Sequence, residues 1–253
     1  MGCLAITIKE IKNLKTKKGR DETGLFIVEG IKLVNEIPKS WDILTYVCSE
    51  SYNDSITSPT LLRAPVITVS DDRFSSLSDT VTPQGIMAVC EKRTFSLQDI
   101  PVANPFFLIG ECLNDPGNIG TLIRTAAAAG ASGVILSENS GDIYNPKTIR
   151  AAAGAVLRIP IIEKAVLKEV IPLLKQHGIT ILAAHLEGKV LPYNINLQKS
   201  CAILVGNEAS GLSAEASALC DVKVKLPMSD DIESLNASVA GGVLLYEVVR
   251  QRI

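Results

Sequence analysis

Short apolar runs recur through the second half of the chain, at 106–109, 133–136, 156–159, 179–183, 202–205 and 222–226. They alternate with helical patterns of about ten residues or more, an alternation that predicts a mostly parallel sheet covered on both faces. The first half reads as a smaller α/β unit. Its apolar runs at 26–28, 46–48, 66–69 and 86–89 are separated by turn residues, with a helical stretch near 30–37. Ahead of them Ile8, Ile11 and Leu14 recur at helical spacing between lysines, as in a short helix with an apolar stripe and a basic face. Periodicity is lost over 94–104, which contains Pro101, and the domain boundary is expected there. The expected organisation is an amino-terminal domain at 1–98, a linker at 99–104 and a second domain at 105–253.

Composition makes this a folded protein. Of 253 residues 47% are hydrophobic and 21% charged, too apolar a mix for wholesale disorder. With 25 Lys and Arg against 27 Asp and Glu the net charge is -2, which excludes a bulk polycation. The charge is unevenly spread. Residues 1–20 hold six cations and one acid, a local charge of +5, so a nucleic acid would be met by a local patch. Cys3, Cys48, Cys90, Cys112, Cys201 and Cys220 have no metal or redox spacing, and two histidines cannot complete a zinc site. Six buried thiols in a reducing, cytoplasmic setting are expected. The start has no charged region ahead of an apolar one, position 6 is Ile where myristoylation needs Ser or Thr, and no apolar run approaches a membrane span.

In parallel sheets of this kind ligands bind at the loops leaving the carboxyl ends of the strands. Three such loops are unusual. Leu-Asn-Asp-Pro-Gly-Asn-Ile-Gly at 113–120 turns at Pro116 and Gly117, with Asn118 suited to cap a helix and Arg124 isolated among small residues six positions on. The glycines do not form a dinucleotide fingerprint. Leu-Val-Gly-Asn-Glu-Ala-Ser-Gly-Leu-Ser at 204–213 frames the Glu208 carboxylate between Gly206 and Gly211, with Ser213 as a helix cap. Residues 225–242 pass Pro227 and Met228 to reach Ser234-Leu235-Asn236, where Ser234 or Asn236 should begin a final helix whose Ala237, Ala240, Gly241 and Gly242 admit close packing.

In this order and internal spacing, the three segments resemble the motifs of the SpoU, or TrmH-like, branch of the SPOUT RNA methyltransferases. Phe-Ile-Val-Glu-Gly at 26–30 and Thr-Pro-Gln-Gly-Ile at 82–86 are similar to that family's L30e-like substrate-binding domain. The resemblance implies an α/β chain with a trefoil knot at its carboxyl end, S-adenosylmethionine as methyl donor, and a homodimer without a metal. It also implies a donor pocket at Gly206, Leu226 and Leu235, with Met228, Ala184 and His185 as weaker members; His185 reads equally as a hydrogen-bonded core or loop residue. Arg124 would act on the ribose 2'-hydroxyl, either as a base or by holding the adjoining phosphate. Asn118 and Asn236 would position Arg124 or the ribose, Glu208 would orient the arginine or nearby backbone, and Ser234 would hydrogen-bond in the same cluster.

The reading that follows is an RNA 2'-O-ribose methyltransferase acting on large-subunit ribosomal RNA, because the shorter transfer-RNA enzymes lack the L30e-like domain. The +5 segment, through Lys12, Lys15, Lys17, Lys18 and Arg20, is the expected RNA-docking surface. A transfer-RNA enzyme, a non-catalytic RNA-binding relative, a nucleotide-dependent oxidoreductase and a base methylase are the rivals. The second would have lost Arg124, Glu208 or Asn236, and the third lacks its fingerprint.

Overall fold

The computed structural model describes residues 6–55, 63–99, 103–229, 231 and 233–253. The chain start with Cys3, and residues 100–102 of the expected linker, lie outside them. Two compact units result: Met1–Arg93 with Asp142–Leu157, and Thr94–Gly141 with Arg158–Ile253.

The first unit begins with two short helices. Thr7 caps α1 (Ile8–Asn13), its hydroxyl accepting from the Glu10 amide while the Glu10 carboxylate accepts from the Thr7 amide, so each side chain satisfies the other residue's orphan donor. Thr16 caps α2 (Lys17–Thr23), which ends at Gly24 in a left-handed conformation, φ 68°. Gly19 has no side chain because a Cβ there would lie 2.2 Å from the Asn13 carbonyl oxygen. The sheet that follows has β1 (Leu25–Glu29), β2 (Ile43–Ser49), β3 (Val66–Val69) and β4 (Ile86–Glu91) in the order β1-β4-β2-β3. β4 pairs antiparallel with β1 and β2, while β3 is parallel to β2. Helices α3 (Ile31–Asn35), α4 (Glu50–Ser55) and α5 (Asp71–Leu77) connect them. Ile11 and Leu14 join Ile27, Val47, Phe74 and Met87 in the core, which is why the apolar stripe of the first helix recurs at helical spacing.

The second unit is a six-stranded, fully parallel sheet. It runs β5 (Phe106–Gly110), α6 (Pro116–Ala128) and β6 (Gly133–Ser137); after α7 (Pro146–Ala151), which belongs to the first unit, come β7 (Ile161–Ala165), α8 (Leu167–Gln176) and β8 (Thr180–Ala184). β9 (Cys201–Val205), α9 (Ala214–Leu219), β10 (Val222–Val224) and α10 (Ala237–Arg252) complete it, and the strand order is β10-β8-β9-β5-β6-β7. β5, β6 and β9 are buried at every position, which explains their uninterrupted apolar runs. The run at 156–159 is not a strand. Left-handed Ala153 and Gly154 end α7, Ala155–Leu157 form a buried 3-10 turn, and the strand starts beyond Pro160; burial alone made that run apolar. β10 also ends early, as the Lys225 amide donates to the Val190 carbonyl and frees Leu226 from the sheet.

Asp142–Leu157 lies between β6 and β7 in the chain, inside the span expected for the second domain, yet it completes the first unit. Arg20, 2% exposed, gives Nε and Nη2 to the Asp142 carboxylate at 2.8 and 2.7 Å and Nη1 to the Leu14 carbonyl. Tyr144 packs on Phe26 with ring centroids 4.5 Å apart, and the Trp41 indole donates to the Leu157 carbonyl at 2.8 Å. Among the described residues no helix is long and apolar enough to cross a membrane. Cys48, Cys90 and Cys201 are buried and Cys112 and Cys220 half-buried, all five free, so the expectation of uniformly buried thiols does not hold for the last two. Burial pushes the Cys90 thiol up to about 12 and those of Cys48, Cys201 and Cys220 to about 11, leaving weak nucleophiles.

Breaking a buried ion pair from one side leaves a charge without a partner, at a cost of about 3–5 kcal/mol. Asp142→Ala should therefore lower the stability of the protein by that amount in a denaturant titration, far more than Asp231→Ala, a substitution of an exposed carboxylate.

Candidate active site

The three unusual loops converge within the second unit. β9 ends at Val205, and Gly206 turns the chain so tightly that a Cβ there would meet the Gly211 carbonyl carbon at 2.3 Å and the Leu212 nitrogen at 2.4 Å. Asn207 and Gly211 exchange both backbone hydrogen bonds, at 3.0 and 2.9 Å, so residues 207–211 fold back as a tight loop. On the neighbouring strand Gly110 leads into Glu111, whose carboxylate accepts from the Ser213 amide and hydroxyl and anchors the far side of the loop.

α6 starts earlier than expected. Asp115, not Asn118, is its cap, accepting from the Asn118 amide at 2.8 Å, with Pro116 in the first turn. Asn118 thus sits one turn inside the helix with its side chain free for other work. Its Nδ2 donates to Glu208 Oε1 at 3.1 Å and its Oδ1 accepts from Asn236 Nδ2 at 3.0 Å. Asn236 caps α10 as expected, its Oδ1 accepting from the Ser238 and Val239 amides. Three loops distant in sequence are therefore tied by one chain of side-chain hydrogen bonds. α10 lies close to α6 because Gly241 leaves room for Leu122, where a Cβ would be 2.5 Å away.

Arg124 is exposed on α6 and has no hydrogen-bond or ion-pair partner among the described residues. Of the expected alternatives, contact of Glu208, Asn118 and Asn236 with this arginine is not made; Asn118 instead bonds to both of the other two. Ser234 is exposed and makes no hydrogen bond in the cluster among the described residues. It lines the cavity beside it.

That cavity, of about 260 Å³, brings together Ala184, Gly206, Leu226, Met228 and Leu235, five of the six residues expected to line a donor pocket. His185 joins them as a hydrogen-bonded loop histidine, its Nδ1 accepting from the Glu187 amide at 3.1 Å. Glu208 is the one carboxylate and Lys225 the one ammonium in the described lining. A larger cavity, about 540 Å³, opens at the ends of β5, β6 and β7, but it holds Glu111, Glu138, Glu169 and Glu215 and none of the expected site residues. No group of three or more metal-binding side chains occurs among the described residues.

In the first unit, Lys12, Lys17 and Lys18 are exposed, with Lys18 3.7 Å from Glu22. Arg20 is not a surface residue, since its guanidinium is consumed by Asp142 and Leu14. Lys15 is half-buried and gives its ammonium to the Ser78 carbonyl. The basic face is therefore smaller than the count of cations implies. Two residues of the cluster were not anticipated: Asn207, whose Nδ2 reaches Glu208 and the Cys112 carbonyl, and Ser238, whose hydroxyl donates to Asn236. Their signal was adjacency alone, one position after Gly206 and two after Asn236.

The chain superposes over nearly its full length on solved methyltransferases. An AdoMet-bound rRNA methyltransferase from Sinorhizobium meliloti superposes with a TM-score of 0.87, at 32% identity over 97% of this chain and 95% of that one. The SpoU methyltransferase AviRb from Streptomyces viridochromogenes does so with a TM-score of 0.85, at 27% identity over 97% and 96%. In sequence, the 23S rRNA (guanosine(2553)-2'-O)-methyltransferase RlmP of Bacillus subtilis is 34% identical over 243 residues, covering 95% of each chain. The profile of the MRM3-like substrate binding domain matches residues 6–88, and that of the SpoU rRNA Methylase family matches 105–246. The chain belongs to the SpoU rRNA methylase family.

Overpacking a tight backbone approach costs about 1–3 kcal/mol. Gly206→Ala should lose stability in that range, and amide exchange at Asn207 and Gly211, whose mutual bonds depend on the approach, should speed up before that of β9.

Proposed function

We propose that this chain is an S-adenosylmethionine-dependent RNA methyltransferase that modifies a ribose 2'-hydroxyl of 23S-type, large-subunit ribosomal RNA. The observation that carries the reading is the Glu208–Asn118–Asn236 chain beside the 260 Å³ cavity, in a protein 34% identical to an rRNA 2'-O-methyltransferase over nearly its full length. The match extends through the amino-terminal unit, which favours ribosomal over transfer RNA as substrate.

The cavity suits the donor. Leu226, Leu235, Met228 and Ala184 offer apolar contact to a purine, the crowded Gly206 turn brings backbone groups to the wall, and Glu208 and Lys225 provide opposite charges for a zwitterion carrying a sulfonium. Bound there, the donor supplies an activated methyl group. The chain's task is to align the 2'-oxygen and ease loss of its proton. Arg124 serves best as a clamp. A guanidinium keeps its proton and is a poor base, whereas an unpaired one can hold the neighbouring phosphate and stabilise negative charge growing on the 2'-oxygen, with the proton passing to water. Glu208, Asn118 and Asn236 hold the loop ends together beside the cavity, and Ser234 at the cavity edge is free to hydrogen-bond to substrate.

A homodimer, a carboxyl-terminal trefoil knot and a cytoplasmic location belong to the same reading. Val239, Val243 and Tyr246 form one face of α10 and are 50%, 47% and 52% exposed, an apolar stripe suited to a second copy. Five free thiols fit a reducing compartment. Of the five cations expected to dock RNA, Lys12, Lys17 and Lys18 remain available for phosphates.

Ribosomal RNA from cells with and without the gene should differ at one or a few 2'-O-methyl sites, and the purified protein should restore them on unmodified RNA. Arg124→Ala should bind S-adenosylmethionine normally in calorimetry while methyl transfer falls by about a hundredfold or more. Near-normal transfer would remove Arg124 from the chemistry. Val243→Arg should sediment as a monomer where the unaltered protein sediments as a dimer; two monomers would end the dimer reading.

A further inference from the structure

The hydrogen bonds around Glu208 have a direction, and it is imposed from outside the cluster. At one end, Asn236 Oδ1 accepts from the Ser238 amide (2.8 Å), the Ser238 hydroxyl (2.6 Å) and the Val239 amide (3.3 Å). Backbone amides can only donate, so the oxygen of this side chain must face the helix and its nitrogen must face Asn118. Asn118 then has to receive on Oδ1, and its Nδ2 is turned to Glu208 Oε1.

The opposite end is fixed in the same way. Asn207 Oδ1 accepts from the Ala209 amide (2.9 Å), the Ser210 amide (3.1 Å) and the Ser210 hydroxyl (3.3 Å). Its Nδ2 must point the other way, where it donates to the Cys112 carbonyl at 2.8 Å and to Glu208 Oε2 at 3.4 Å. Both oxygens of an exposed carboxylate are thereby met by N–H groups, one oriented by the start of α10 and one by the loop that walls the cavity.

We infer that Asn207 is a positioning residue for methyl transfer: its amide ties the cavity loop to the end of β5 and holds Glu208 in the rotamer that engages Asn118. This rests on the proposed function. Asn207 lines the cavity beside Glu208, and it acts on the reaction by placing Glu208 and the loop. Cys112, which supplies the carbonyl, is a non-glycine residue at φ 51°, so the point to which the loop is tied is itself a specialised turn.

Asn207→Asp separates the two halves of the amide. The oxygen that accepts from Ala209 and Ser210 is kept, so the turn survives, while the N–H facing Glu208 and the Cys112 carbonyl is replaced by an acceptor. In the full-length protein with a 23S rRNA transcript, kcat should fall by roughly tenfold or more while KM for RNA and calorimetric affinity for S-adenosylmethionine stay within about threefold. The side-chain amide resonance of Asn118 should also shift, with no methyl transfer needed to see it. Adding Glu208→Gln restores an N–H facing the introduced carboxylate and keeps an acceptor for Asn118. The double variant should then retain more activity than the product of the two single losses. Unchanged kcat, a parallel loss of donor affinity, an unmoved Asn118 resonance or strictly multiplicative losses would each overturn the inference while leaving the proposed function standing. An unaltered protein that methylates no ribosomal RNA would instead end the proposed function, and this inference with it.

Discussion

The approach of two backbones at Gly206 is the constraint on which the site depends. Contact with the Gly211–Leu212 peptide leaves no room for a side chain, so the chain leaving β9 must fold back at once and cannot run on into a long connector. That reversal presents residues 207–211 at the end of the sheet, supplies a wall of the cavity, and places Glu208 within reach of α6. Glycine at 241 performs the matching task on α10, letting that helix come near enough to α6 for Asn236 to meet Asn118. Two positions without side chains thus bring three polar ones together. The polar chain then locks what the packing allows, since each of its amides has only one orientation open to it.

Much of this was legible in the sequence, for identifiable reasons. β5, β6 and β9 are buried on both faces, so their runs are apolar without interruption and stand out from the helices. The loops at their carboxyl ends carry glycine, asparagine and glutamate where simple connectors would not need them, and all six expected cavity residues line one space. What escaped is equally instructive. The run at 156–159 is as apolar as a strand because it is buried, yet left-handed Ala153 and Gly154 deliver it as a turn. Asn118 looked like a cap because asparagine before a helix usually is one, but Asp115 stands three positions earlier with Pro116 behind it. Hydrogen bonding among Glu208, Asn118 and Asn236, with Arg124 outside their circle, depends on distances between elements that no local pattern encodes.

The charge distribution reads differently once burial is known. Six cations in the first twenty residues suggested a broad basic face, but Arg20 is an internal strut and Lys15 bonds to the Ser78 carbonyl. Charge counting treats every cation as available, whereas a guanidinium buried against a carboxylate and a backbone carbonyl is out of reach of a phosphate. The exposed cations of α1 and α2 are Lys9, Lys12, Lys17 and Lys18, four of the six that the count includes.

The partner that Arg20 requires lies 122 residues further along the chain. At about 5–20 residues per second of synthesis, some ten seconds pass between the appearance of the arginine and that of Asp142. Through that interval the first four strands can pair, but their core lacks Tyr144 against Phe26 and the Leu157 carbonyl for Trp41. The unit that begins the chain cannot close until part of the second has been made, since β5, α6 and β6 all precede Asp142 in the sequence.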